Sequence, residues 1–276
     1  MATSCNIINP PEQIPSYIAI DTIILETEPG QGTDKHAITD AWIYINNDIQ
    51  GIYELPVTQA PLLFTGKQNL KIAGGIKHNG KILERPYYPF YDFYTNDTSF
   101  YLYPDSVVTV SAIVKYFDGL QFKWMQDFEG DTLQFEIPDT SVHIIKYADN
   151  PFEGNYSGIV TLTADTPGFM AKSPIYEFPK AENIYLEFHY KTEAEIQVGT
   201  ITVNDNDEEV SLLTLFYIPP KYDLNGNLVW NKIYLDLTDE INSEYNANYT
   251  KFKIFLAAYN TDNKKIYLDN IQIIHP

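Results

Sequence analysis

The sequence predicts an all-β protein, with an N-terminal immunoglobulin-like β-sandwich followed by a C-terminal β jelly roll. Three observations carry this reading. Apolar and polar residues alternate with a period of two almost everywhere, and no sustained helical period appears. Aromatic residues are dense, with 22 Tyr and 15 Phe, and β-branched residues are plentiful; both fit a pleated, half-buried surface. Short runs of this kind are separated by clusters of Asn, Asp, Gly and Pro, the residues that turn a chain.

The 276 residues are enough for two ordinary domains. We assign residues 1–12 to a tether, 13–122 to the sandwich and 123–276 to the jelly roll. The opening strand runs from Ile14 through Ile20 and on to Leu25, and Pro29-Gly30-Gln31-Gly32 turns the chain. Ala41 to Ile45, the turn Asn46-Asn47-Asp48 and Ile49 to Leu55 read as a β-hairpin. Gly66 to Ile72 and Ser106 to Phe117 supply two further strands. Together they suggest the immunoglobulin-like sandwich.

The second domain opens near Trp124 to Gly130. Strands follow from Asn155, over Ile184 to Tyr190, Val210 to Ile218, Trp230 to Thr238, Lys251 to Ala258 and Lys265 to Ile274. Only Asp239 to Ala247 reads as a helical turn. Strands at this spacing with polar turns fit a jelly roll.

Charge narrows the partners. The net charge is −19 and Arg85 is the single arginine. Such a surface repels phosphate backbones, which excludes nucleic acid, and it disfavours anionic lipids and anionic polysaccharides. Solubility, cation binding or a neutral ligand remain open. No run of about 18 consecutive apolar residues is present to make a membrane-spanning helix.

Enzyme motifs are missing: there is no G-x-S-x-G, no H-E-x-x-H, no P-loop and no dinucleotide fingerprint. His36, His78, His143, His189 and His275 are scattered singly. One cysteine, Cys5, leaves no disulfide framework and no thiolate zinc cluster. Between Tyr87 and Tyr103 lie Tyr88, Phe90, Tyr91, Phe93, Tyr94, Phe100 and Tyr101. That is too many rings for one strand face, so some form a ligand platform, a protein contact or packing elsewhere. From this cluster we take Tyr87, Tyr88, Tyr91, Tyr94 and Tyr101 as candidate ligand or partner residues. Tyr176, Tyr222 and Trp230 lie in or beside loops, and Trp230 joins the candidates. The acidic run Asn204 to Glu209 lacks the Gly and the spaced final Glu of a calcium loop, and reads as a solvated turn.

Several resemblances to known families add to this. Small residues leading into Cys5 and the polar, Pro-containing Asn6 to Pro11 resemble a bacterial lipoprotein's lipobox; this implies lipidation at Cys5 and export. Ala41, Tyr44, Asn47, Gly51, Gly66, Leu70 and Ile72 resemble a PEGA-type domain, with Asn47-Asp48 where Asp-Gly is usual and Gln68 where His is usual. The longer run from Thr39 to Tyr91 looks like outer-membrane lipoproteins of the Bacteroidetes. Asp-Phe-Glu at 127–129, Trp230 to Thr238, Phe252 to Ala257 and the closing Ile266-Tyr267-Leu268-Asp269-Asn270-Ile271 resemble galactose-binding-like jelly rolls, including many carbohydrate-binding modules. That likeness implies a structural Ca²⁺ between the opening acidic segment and the closing strand, at Asp127, Glu129 and Asp269. The Bacteroidetes resemblance implies O-glycosylation at Asp21-Thr22-Ile23, Asp105-Ser106-Val107 and Asp131-Thr132-Leu133.

The function expected is a non-enzymatic outer-membrane lipoprotein, anchored to the outer membrane by its lipid and acting as an accessory or scaffold subunit beside a membrane-protein partner. The alternative is a carbohydrate-binding surface lipoprotein that takes a neutral glycan. A glycoside hydrolase is a second alternative, because sequence spacing does not reveal how far apart two carboxylates lie in space.

Overall fold

The computed structural model describes residues 12–96 and 100–276. The chain divides into two compact units. Among the described residues the first comprises 12–26, 38–76, 85–96 and 100–117, and the second 27–37, 77–84 and 118–276. The second unit is thus assembled from three stretches, where the sequence suggested one continuous segment from 123. Among the described residues the only helix is four residues long, and the all-β expectation holds.

The first unit contains β1 (Ser16–Ile20), β2 (Ile23–Glu26), β3 (Asp40–Ile45), β4 (Asp48–Glu54), β5 (Val57–Leu62), β6 (Gly66–Gln68), β7 (Leu70–Gly75), β8 (Tyr94–Thr95), β9 (Phe100–Leu102), β10 (Val107–Thr109) and β11 (Ala112–Lys115). The predicted long opening strand is two strands. β1 lies between β10 and β5, while β2 pairs with β11, so the chain changes sheets at Asp21-Thr22. The strand expected over Ser106 to Phe117 divides in the same way, giving β10 to one sheet and β11 to the other. The expected hairpin is β3 and β4, with Asn46 and Asn47 at φ 53° and 72°. Positive φ at both central positions is the twist a two-residue hairpin turn needs, and Asn tolerates it. Alternation places Ile18, Ile20, Ile43, Ile45, Ile72 and Val114 in the core, each fully buried.

The second unit contains β12 (Gln121–Gln126), β13 (Ile145–Tyr147), β14 (Ser157–Leu162), β15 (Gly168–Lys172), β16 (Tyr176–Glu177), β17 (Tyr185–Thr192), β18 (Ile196–Val203), β19 (Glu209–Ile218), β20 (Asn231–Asp236), α1 (Thr238–Ile241), β21 (Lys251–Tyr259) and β22 (Lys264–His275). One sheet of six strands runs β13-β14-β22-β17-β20, with β12 also on β22. The other runs β15-β21-β18-β19, with β16 on β21. Phe188, Leu186, Ile266, Leu268 and Ile273 from the first face Ile196, Val198, Phe252, Ile254 and Leu256 from the second in one hydrophobic core. The close approach of β18 to β19 and β21 requires Gly199. A Cβ there would lie 2.0 Å from the Leu213 carbonyl oxygen and 2.7 Å from the Phe255 ring.

Candidate functional site

The side of the six-stranded sheet that faces away from this core is where polar and aromatic groups gather. Its pattern follows from register. β22 and β17 slip past each other between Glu187 and His189, and Asn270 sits at φ 48°. This bulge accommodates one extra residue, so Asp269 and Gln272, three apart, both project outward. Three cross-strand rows result. Ile145, Ile159, Tyr267 and Lys191 form one, extended by Trp230, which directly precedes β20. Tyr147 and Ser157 lead to Asp269, His189 and Lys232 in the next. Gln272, Glu187 and Tyr234 form the third.

The second and third rows are polar yet buried: Ser157 is 0%, Asp269 1%, His189 2% and Glu187 0% exposed. Loops 27–37 and 77–84, which belong to this unit, cover part of that face. Lys232 Nζ donates to the Lys35 carbonyl at 3.2 Å, the Ala37 N–H to Tyr234 Oη at 3.0 Å, and the Asp236 N–H to Asn79 Oδ1 at 2.7 Å. His78 Nε2 meets Asp236 Oδ2 at 3.2 Å.

A buried charge must be paired, and Lys232 meets Glu187 at 2.6 Å. Burial works against the Lys232 charge, but Glu187, Tyr234 and Glu153 outweigh it and hold its pKa above the ordinary lysine value. Next to it, burial followed by the Lys232 charge lowers His189 to about 2, so its imidazole is neutral. Burial raises Asp269 to about 7, against the stabilising hydrogen bonds of Ser157, Asn270 and Glu153.

Aromatic rings border these rows. Phe152 stacks on His189 at 3.9 Å and 20° and lies 5.5 Å from Trp230. Trp230 lies 6.2 Å from Tyr267, and Tyr267 lies 5.9 Å from Tyr147. Lys191 Nζ is 5.2 Å from the Tyr267 ring centre. The same unit holds a cleft of ≈ 340 Å³ whose lining includes Thr33, Asp127, Glu129, Glu153, Asn270 and Gln272, and no basic side chain.

The sequence-predicted residues distribute unevenly over this arrangement. Trp230 is in the aromatic strip, and Asp127 and Glu129 line the cleft, but Asp269 lies in the buried row. The three do not fit a calcium ion. Glu129 Oε1 accepts the N–H groups of Asn155 and Tyr156, each at 2.8 Å, and its Oε2 accepts Asn155 Nδ2 at 3.0 Å. Asp269 Oδ2 accepts the Ser157 hydroxyl at 2.7 Å, its Oδ1 accepts the Asn270 N–H at 2.8 Å, and Asp127 Oδ1 accepts the Glu129 N–H at 3.0 Å. These hydrogen bonds take up lone pairs that a common cation would need. Among the described residues no group of three or more His, Cys, Asp or Glu is placed to hold a metal ion.

The tyrosine cluster of the first unit is corrected in part. Tyr88 and Tyr91 are 1% and 3% exposed and pack edge-on against each other, with Phe90 and Tyr116, so they are core residues closed to a ligand. Tyr87 and Tyr101 are exposed, Tyr87 edge-on to Trp42 and Tyr101 stacked on Tyr103, while Tyr94 in β8 is half-buried. Cys5 lies outside the described residues. Sequence reasoning missed Tyr147, Phe152, His189, Tyr267 and the Lys232–Glu187 pair. Tyr267 was within reach, because it alternates with Asp269 in the closing strand; the others needed the cross-strand register.

No family model and no curated protein matches the chain. Solved structures do. A structure described for the promiscuous specificity of carbohydrate-binding modules of the β-sandwich superfamily is 14% identical, covers 95% of this chain and 98% of its own, and gives a TM-score of 0.41. The CBM22-1 xylan-binding domain of Paenibacillus barcinonensis Xyn10C is 15% identical over 54% of this chain and 90% of its own, at 0.33. The enzymatically active domain of a bacteriophage CBA120 tailspike is 10% identical over 54% of this chain and 20% of its own, at 0.36. Carbohydrate-binding modules recur among these neighbours, where the sequence led us to expect an accessory or scaffold subunit of an outer-membrane complex, and that expectation is withdrawn.

Proposed function

We propose that the chain is a non-catalytic carbohydrate-binding protein that holds a neutral glycan on the outer side of its six-stranded sheet. The observation that carries this is the continuous run of rings Trp230, Tyr267 and Tyr147 along the sheet whose unit also holds the carboxylate- and amide-lined cleft. Rings supply flat apolar area for the C–H faces of a sugar, and carboxylates and amides accept and donate to its hydroxyls. The cleft has no basic group, and the chain carries −19, so the cleft disfavours uronic acids and sulfated sugars. Asp269 is closed from solvent and its oxygens serve Ser157 and Asn270, which suits a fold-supporting role better than acid catalysis. No calcium ion enters this reading, for the geometric reason given above.

Affinity electrophoresis on gels containing neutral polysaccharides tests the proposal. Retardation by at least one neutral glycan, lost in Tyr267→Ala and Trp230→Ala, is the expected result. Retardation by none, or turnover of a model glycoside, refutes it. The same reading places the chain at the bacterial outer membrane, held by a lipid on Cys5, on the strength of the small residues before that cysteine and the polar tether after it. Mass spectrometry of native protein reads this directly, and an unmodified Cys5 counts against it.

A further inference from the structure

We propose that Phe152 occupies the innermost subsite of the glycan face, and that a sugar ring displaces it to reach two buried nitrogens, Trp230 Nε1 and His189 Nδ1. This rests on the glycan-binding reading and adds where on the face the ligand is gripped. Both nitrogens are buried without a hydrogen-bond partner. A native interior leaves few such groups, and each costs roughly the desolvation of an unmade hydrogen bond. His189 itself is 2% exposed. It is also neutral, so Nδ1 can donate or accept according to tautomer.

The ring packed on both residues is the same one. Phe152 lies 3.9 Å from the His189 ring and 5.5 Å from the Trp230 ring, so its departure uncovers both at once. It stands on a short strap with a positive-φ residue on each side, Asn150 at 58° and Gly154 at 64°. Its backbone is held by few bonds: the Phe152 N–H donates to Ser157 Oγ at 2.9 Å, and the Glu153 N–H reaches Asp269 Oδ2 only at 3.4 Å. A phenyl ring stacks here but offers no hydrogen bond. A pyranose ring has similar breadth and hydroxyls around its rim, so it can take the same place and satisfy the nitrogens that phenylalanine leaves bare.

Isothermal titration with xylohexaose and cellohexaose, against the parent, Phe152→Ala and Phe152→Ala/Trp230→Phe, tests this. Phe152→Ala removes the competitor and is expected to bind about fivefold tighter, the equivalent of about one neutral hydrogen bond. Trp230→Phe keeps a ring but removes the N–H, and should abolish that gain. A second measurement needs no variant: in ¹H–¹⁵N spectra of the parent, added hexasaccharide should shift the Trp230 indole resonance. The Trp42 and Trp124 indoles, which donate to the Arg85 and Gln134 carbonyls, should stay in place. If the parent binds while Phe152→Ala binds no tighter, or the Trp230 indole does not move, the occluded subsite is wrong and the glycan reading survives. If neither parent nor Phe152→Ala binds any neutral glycan, both fall together.

Discussion

Replacing Lys232 with methionine tests whether the polar face of the six-stranded sheet is held by its buried ion pair. Met keeps most of the side-chain length and removes the ammonium group, and with it both the charge and the hydrogen bond to the Lys35 carbonyl. Lys232 and Glu187 are 2% and 0% exposed at their side chains and 2.6 Å apart, so Glu187 has no solvent to turn to. Removing one partner of such a buried pair costs about 3–5 kcal/mol. The double variant Lys232→Met/Glu187→Gln removes the uncompensated charge and keeps an acceptor for Gln272 Nε2, now 3.3 Å from Glu187 Oε2. It should recover to within about 1 kcal/mol of the parent. Urea unfolding followed by far-UV circular dichroism, with the midpoint compared at constant slope, measures all three. A Lys232→Met protein within about 1 kcal/mol of the parent, or a double variant no better than the single, refutes the reasoning.

Asp269→Asn addresses the other buried acid. Its folded pKa of about 7 lies above its ordinary value of 3.8, so the stability tied to its protonated form is full below pH 3.8 and is lost as pH rises to 7. The substitution should flatten that fall, by at most about 4 kcal/mol at pH 7 from the size of the shift; parallel stability-versus-pH curves for parent and variant would count against it. Gly199→Ala inserts a methyl group against a backbone oxygen and a buried ring, and should cost about 2–3 kcal/mol in thermal or urea unfolding; a variant as stable as the parent shows that β18 can yield. Glu129 caps the turn at Asn155 and Tyr156, and despite the opposing effect of burial those bonds hold its carboxyl below the ordinary range. Its contribution is present above that range and is lost as pH falls through the lowered value. Amide exchange at Asn155 and Tyr156 should therefore speed up in Glu129→Ala at pH 7, and unchanged protection would show that the turn holds itself.

Some features were legible residue by residue. The β3–β4 hairpin was readable because its alternation is clean and two asparagines stand where positive φ is needed. The closing strand was readable from Ile266, Leu268, Ile271 and Ile273, all fully buried. The break at Asp21-Thr22 was not, because period-two patterning continues across a change of sheet and says nothing about which neighbour a strand takes. Tyr88 and Tyr91 were misjudged for a related reason: composition counts rings but does not say which ones a core of this size can enclose.

The sequence by itself determined the class of structure and the sign of its electrostatics. Alternation with a period of two can bury apolar side chains only as sheets, and a charge of −19 repels anions in any arrangement. The tertiary structure alone decided the site. One bulge at Asn270 sets which residues of the closing strand look outward, and the cross-strand register then brings His189 beside Asp269 and Lys232. Phe152 reaches His189 from 37 positions away along the chain. Local pattern carries no information about such distant pairings, because they are fixed by where strands stop, slip and exchange partners.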